Sequence, residues 1–284
     1  MYIPHHSLVT APDTAPAQWM LVLHGIYGSG ANWRTFAARL AEQQPDWGLV
    51  LVDLRMHGRS QDAPPPHTVA AAAADLGALT EHLTARGMAV RAISGHSFGG
   101  KVALLYRASP AGRALDHTWV LDASPSALPA PDDGQGDPRR DTVAQVLRLL
   151  FALPARFASR GAFVAHVTAA GFAPMLAQWL AMNLEPAADG DGHVMRLDPT
   201  AMEALLRDYQ RVDAWPALAA GPGTAHVVIA GASDVVSAAD RARLEALRAA
   251  RAAVTVDEIP GASHWLHVDA LDPLLALVAG ALQR

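Results

Sequence analysis

The chain has 284 residues, 51% of them hydrophobic and 17% charged, which suits one large domain or a domain with an inserted subdomain and excludes intrinsic disorder. Its net charge of −5, with no basic run or stripe, argues against a nucleic-acid partner. The lack of cysteine excludes disulfides, thiolate metal sites and a cysteine nucleophile, and it fits a reducing, cytoplasmic location.

Met1 to His6 lacks a basic segment followed by an apolar run, so no signal peptide is expected. No long apolar stretch is free of charge, so no membrane insertion is expected either. Apolar runs of strand length then alternate with helix-length segments. Gln18 to Leu23 reads as a strand, Ala31 to Gln43 as a helix and Gly48 to Asp53 as a strand. Val69 to Arg86 reads as a helix, Ala89 to Ser94 as a strand, Phe98 to Ala108 as a helix and Thr118 to Asp122 as a strand. Ala225 to Ala230 and Ala253 to Ile259 are strands, and Ala238 to Ala250 and Pro273 to Leu282 are helices. Continuous apolar strands between helices imply a mostly parallel sheet covered on both faces.

From Ser124 to about Pro222 that rhythm stops and no strand is expected. A polar loop, Pro129 to Pro138, precedes four helical segments: Thr142 to Leu153, Phe163 to Gly171, Pro174 to Leu184 and Pro199 to Tyr209. Gly190-Asp191-Gly192 marks a turn between the last two. The expected organisation is a core over 1–123 and 223–284 with a helical cap over 124–222. Such a cap roofs a site at the C-terminal ends of the strands.

The chemistry centres on Gly95-His96-Ser97-Phe98-Gly99, placed between a strand and a helix. A serine in a sharp strand-to-helix turn needs small neighbours at i−2 and i+2, and both are glycine. Ser97 is the expected nucleophile. It requires a base and an orienting acid. His264, in Gly261-Ala-Ser-His264-Trp265 after the last strand, is the expected base. His24, His57 and His96 sit in motifs of their own and are assigned structural roles.

Two acids compete to orient His264. Asp234 lies in Gly231-Ala-Ser-Asp234 and Asp122 in Leu121-Asp122-Ala-Ser-Pro125, each at the end of a strand. Asp234 is the favoured acid, with Asp122 as a second carboxylate near the histidine or a loop cap. The oxyanion hole is expected from the N–H groups of Phe98 and Ile26, the latter in His24-Gly25-Ile26-Tyr27-Gly28. Tyr27 is expected to pack, with its hydroxyl pointing into the site as the alternative. The block Asp53-Leu-Arg55-Met-His57-Gly-Arg59-Ser60 is read as a loop network held by pairing among its own charges.

These signatures, in this order over almost the whole chain, resemble those of the α/β-hydrolase fold. Leu121 to Pro125, Trp179-Leu-Ala-Met-Asn183-Leu184 and the run from Arg196 into Tyr209 to Trp215 are similar to the small acyl esterases of the YbfF type and their mitochondrial relatives. In that family an aspartate at the Asp122 position belongs to the catalytic group, and the Asp234 position is often serine. This chain has aspartate at both. The resemblance implies hydrolysis of short- or medium-chain acyl esters or thioesters, a small-molecule substrate, and no organic cofactor or metal.

Phe151, Phe157, Phe163, Phe172, Met175, Trp179 and Met182 are expected mainly as packing between cap and sheet. Arg139, Arg140, Arg156 and Arg160 are read as solvated charges rather than a coenzyme-phosphate site. The same triad also serves carbon–carbon bond hydrolases, lyases and cofactor-free peroxidases, and a non-catalytic binding protein is a further alternative.

Overall fold

The structure, a computed structural model, describes residues 2–128 and 138–283, with 138–141 as backbone only. The expected loop from Pro129 lies outside the described residues, as do the side chains of Arg139 and Arg140.

Nine strands and eleven α-helices are described in chain order. They are β1 (His6–Val9), β2 (Gln18–Leu23), α1 (Arg34–Gln43), β3 (Trp47–Val52), α2 (Val69–Thr84), β4 (Val90–His96), α3 (Phe98–Ala108) and β5 (His117–Leu121). Then come α4 (Pro138–Ala152), α5 (Arg160–Ala169), α6 (Pro174–Leu180), β6 (Leu184–Pro186), β7 (His193–Met195), α7 (Pro199–Arg211) and α8 (Trp215–Ala220). The chain ends with β8 (Thr224–Ala230), α9 (Ala238–Ala250), β9 (Val254–Ile259), α10 (Leu266–Asp269) and α11 (Leu271–Leu282).

The main sheet has the order β1-β3-β2-β4-β5-β8-β9, parallel throughout except for the antiparallel edge strand β1. Period-two alternation assigns its faces. From β2, Trp19, Leu21 and Leu23 enter the cluster that takes in residues of α2 and α3, while Met20 and Val22 enter the one under α1 and α11. The parallel strands are buried on both sides, which is why they read as unbroken apolar runs.

Three short strands escape a sequence reading. β1 is four residues long with a histidine at its start. The expectation of no strand over 124–222 is corrected by the hairpin β6–β7, which closes around the Gly190 and Gly192 turn. Three-residue strands carry too little periodicity to register. The helix expected over 174–184 also ends early, at Leu180, and a 3₁₀ turn continues to Asn183.

The stretch between β5 and β8 is fastened where it leaves and rejoins the core. Leu128 N–H donates to Gln210 O at 2.7 Å and Ala214 N–H to Pro125 O at 2.8 Å. Lys101 of α3, only 1% exposed, donates to the carbonyls of Ser126, Tyr209 and Val212 at 2.7, 2.9 and 2.9 Å. Its ammonium also lies 4.2 Å from the Tyr209 ring centroid. Burial lowers its pKa to about 8.

A buried donor serving three carbonyls is costly to remove, because the acceptors stay behind. Lys101→Met is expected to destabilise the fold by about 3 kcal/mol, read as a lower urea midpoint. An unchanged midpoint would show that water replaces the ammonium at no cost.

Candidate active site

The C-terminal ends of the parallel strands and the helices α4, α6 and α7 enclose a cavity of about 800 Å³. Its floor includes His24 to Gly28, His96 to Phe98, Ser124, Ala232 to Val235, and His264 with Trp265 and His267. Its roof includes Val143 and Leu147 of α4, Leu176 and Trp179 of α6, and Leu206 of α7.

Ser97 sits between β4 and α3 with φ 53° and ψ −116°. A β-carbon on Gly95 would collide with the Gly99 carbonyl, and one on Gly99 would lie 2.6 Å from His24 O. The two glycines are therefore what allow β4, α3 and β2 to meet at this corner. Phe98 is the first residue of α3, so its N–H has no acceptor within the helix. Ile26 lies on the facing loop after β2, and both residues line the cavity.

His264 follows β9 on the loop opened by Gly261 at φ +73°. Its Nδ1 lies 2.7 Å from Asp122 Oδ2. Asp122 is fully buried at the end of β5, with φ 42°. Its N–H donates to Val228 O at 2.8 Å, and its Oδ1 accepts from Ala230 N–H at 3.1 Å. One carboxylate oxygen is thus tied to β8 and the other faces the imidazole. Asp234, favoured by sequence as the orienting acid, is exposed on the loop after β8 and lines the cavity wall. The structure brings Asp122 to Nδ1 of His264 because β5 ends beneath the histidine loop.

The residue before the serine has a role that its motif does not reveal. His96 Nε2 donates to the backbone carbonyl of His264 at 2.7 Å, and the two rings lie 4.5 Å apart. It joins the elbow directly to the histidine loop.

The loops beside the elbow are held by two further histidines. His24 Nδ1 donates to Gly25 O at 2.7 Å, and its Nε2 accepts from Leu54 N–H at 3.0 Å. His57 Nδ1 donates to Arg55 O at 2.9 Å, and its Nε2 accepts from Tyr27 N–H at 3.2 Å. The charges in the Asp53 to Ser60 block do not pair with one another as expected. Asp53 accepts from the N–H groups of Gly30 and Arg59 at 2.8 and 2.9 Å, and Arg55 forms a two-point ion pair with Asp75 of α2. Asp53 Oδ2 also meets His5 Nδ1 at 3.1 Å, so the partners of both charges include groups outside the block.

Among the large cap side chains, Phe157 and Phe163 are buried, whereas Phe151, Met175 and Met182 are exposed. Trp179 lines the cavity and meets Trp265 edge to face, with centroids 4.8 Å apart. Arg160 is not simply solvated, because it donates to the carbonyls of Ala181 and Leu184 at 2.5 and 2.7 Å. Among the described residues, no helix is long and apolar enough to cross a membrane.

The sequence model of the Alpha/beta hydrolase family matches residues 20–277. The chain is 27% identical over 210 residues to 2-succinyl-6-hydroxy-2,4-cyclohexadiene-1-carboxylate synthase of Serratia proteamaculans (strain 568), covering 63% of this chain and 79% of that one. Among solved structures it is similar to a marine microorganism esterase, with TM-score 0.79, 21% identity and 99% of each chain covered. It is also similar to E-2-(acetamidomethylene)succinate hydrolase, with TM-score 0.72, 22% identity and coverage of 95% and 93%. At these identities the structural likenesses establish the fold.

The histidines around the elbow are held neutral. Burial is the main cause at each: it lowers His24, drives His96 well below the usual range, and takes His57 to about 3 and His267 to about 4. In the unfolded chain they bind protons below about pH 6.5. From there down to about pH 4 the unfolded state holds more protons than the folded state, so stability falls as pH falls. The slope is at most about 1.4 kcal/mol per pH unit for each such histidine. Urea midpoints between pH 7.5 and 4.5 should decline; a flat series would mean that these rings accept protons while the protein stays folded.

Proposed function

This chain belongs to the alpha/beta hydrolase family, and on that premise we propose that it is a serine hydrolase acting on short- to medium-chain carboxylic esters or thioesters through an acyl-enzyme. The observation that carries the reading is the 2.7 Å contact of buried Asp122 with His264, which lines the same cavity as Ser97. Asp122, rather than Asp234, is then the orienting acid. It fixes the tautomer with the proton on Nδ1 and leaves Nε2 as the base.

Ser97 Oγ attacks the acyl carbonyl while His264 takes its proton. The N–H groups of Phe98 and Ile26 receive the negative oxygen, aided by the positive end of α3. The alcohol or thiol departs with the proton from His264. Water, activated by the same imidazole, attacks the acyl-enzyme and releases the acid. The largely apolar roof and a volume of about 800 Å³ suit a compact acyl group rather than a polymer. The sequence resemblance to YbfF-type acyl esterases supports the same substrate class.

A second reading, lyase or carbon–carbon bond chemistry on the same triad, draws on the synthase among the relatives.

A p-nitrophenyl ester series from acetate to long acyl chains tests the reading. Activity should peak at short or medium chains and vanish in Ser97→Ala and His264→Ala. A folded protein inert towards the whole series would favour the second reading. Asp122→Asn should lower kcat by about 10³- to 10⁴-fold, and Asp234→Asn by less than about tenfold. The reverse ranking would return the orienting role to Asp234.

A further inference from the structure

Tyr27 has φ +62°, a left-handed conformation that tyrosine rarely adopts. It occupies the third position of the turn Gly25 to Gly28, closed by Gly28 N–H donating to Gly25 O at 3.1 Å. Positive φ at that position ordinarily takes glycine or asparagine. Holding another residue there costs on the order of 1 kcal/mol and persists only where the surroundings over-determine it.

Three groups hold Tyr27 in place. Its N–H donates to His57 Nε2 at 3.2 Å, its hydroxyl to Val143 O at 3.1 Å, and its carbonyl accepts from Asn183 Nδ2 at 2.8 Å. His57 belongs to the core loop after β3. Val143 lies on α4 and Asn183 at the end of the 3₁₀ turn after α6, both in the roof. Asn183 is itself anchored: it is 4% exposed, its amide also reaches Leu180 O at 3.4 Å, and its carbonyl accepts Arg196 N–H at 3.0 Å. Two of the three restraints on a strained residue of the floor therefore come from the roof.

We propose that Asn183 is a positioning residue through which the seated roof sets the geometry of the oxyanion loop. The inference rests on the acyl-transfer reading above. Asn183 holds the peptide that follows Tyr27, and the Ile26 N–H lies two peptide groups before it in the same four-residue turn. Freed from Asn183, Tyr27 can relax from positive φ, and the turn that aims the Ile26 N–H rotates with it. A displacement of about 1 Å at such a donor lowers turnover by about 100-fold, because the donor acts on the charge of the transition state rather than on the substrate. Catalysis is thereby confined to molecules whose roof is closed over the cavity.

The test compares the parent with Asn183→Ala and Asn183→Asp in ester kinetics, and measures amide hydrogen exchange of the peptide spanning residues 24–30. Tyr27→Phe, which cuts only the tie to Val143, is the milder companion if the Asn183 variants fold poorly. The expected result is a 10- to 100-fold fall in kcat with KM within about twofold, and faster exchange in residues 24–30. Tyr27→Phe should move both readouts the same way by a smaller factor. Unchanged exchange in that peptide overturns the proposal, as does a rise in KM with kcat preserved, the mark of a residue that only supports the roof. Faster exchange with kcat unchanged also overturns it. A parent inert towards esters, with exchange still raised in the variants, overturns the acyl-transfer reading and leaves the coupling of roof to loop supported.

Discussion

Four neighbouring parallel strands, in the order β3-β2-β4-β5, each run into a non-glycine residue at positive φ: Met56, Tyr27, Ser97 and Asp122. Each such position costs about 1–3 kcal/mol, and two of the four, Tyr27 and Ser97, line the cavity. The turns at Ser97 and Asp122 follow from a geometrical demand. A parallel strand points its chain away from the sheet, and a side chain stands over the strand ends only if the backbone turns back sharply. Ser97 makes that turn because Gly95 and Gly99 remove the β-carbons that would block it. Asp122 makes it by bonding its N–H to β8 and its Oδ1 to the next backbone donor on that strand.

The rest of the site is built to keep those turns in place. Buried, neutral histidines do most of this, each using one ring nitrogen as donor and the other as acceptor or packing surface. His24 joins its own loop to Leu54, and His57 joins its loop to Tyr27. His96 joins the elbow to the carbonyl of His264. A neutral imidazole suits this work because it spans two backbone groups without burying a charge. Lys101 works differently, as a cation buried among three carbonyls where the chain between β5 and β8 leaves and rejoins the core. It stands on the helix that begins directly after Ser97, so the elbow and the base of the roof share one rigid element.

Much of this could be read from the amino acids. The Gly-x-Ser-x-Gly spacing, the apolar strands and the histidine after the last strand are local patterns, and each fixes a local structure. The choice between Asp122 and Asp234 is not local. Both follow strands, and both precede His264 in the chain. What separates them is that β5 ends under the histidine loop while the turn after β8 opens to solvent. The hairpin β6–β7 was hidden because three residues show no period. Asn183 was visible only as part of a family-like stretch, because its partner, the Tyr27 carbonyl, is a backbone atom 156 residues away. Arg55 and Asp75 were hidden likewise, with an acid inside the block standing closer in sequence than the true partner.

The most direct test of the central claim, that the Asp122–His264 pair activates Ser97, is stoichiometric reaction with diethyl p-nitrophenyl phosphate. The account predicts release of about one p-nitrophenolate per chain. It also predicts a diethylphosphoryl adduct located on Ser97 by mass spectrometry, and loss of ester hydrolysis in proportion to the label. No release from the folded protein, or an adduct on another side chain while Ser97 stays free, would contradict it.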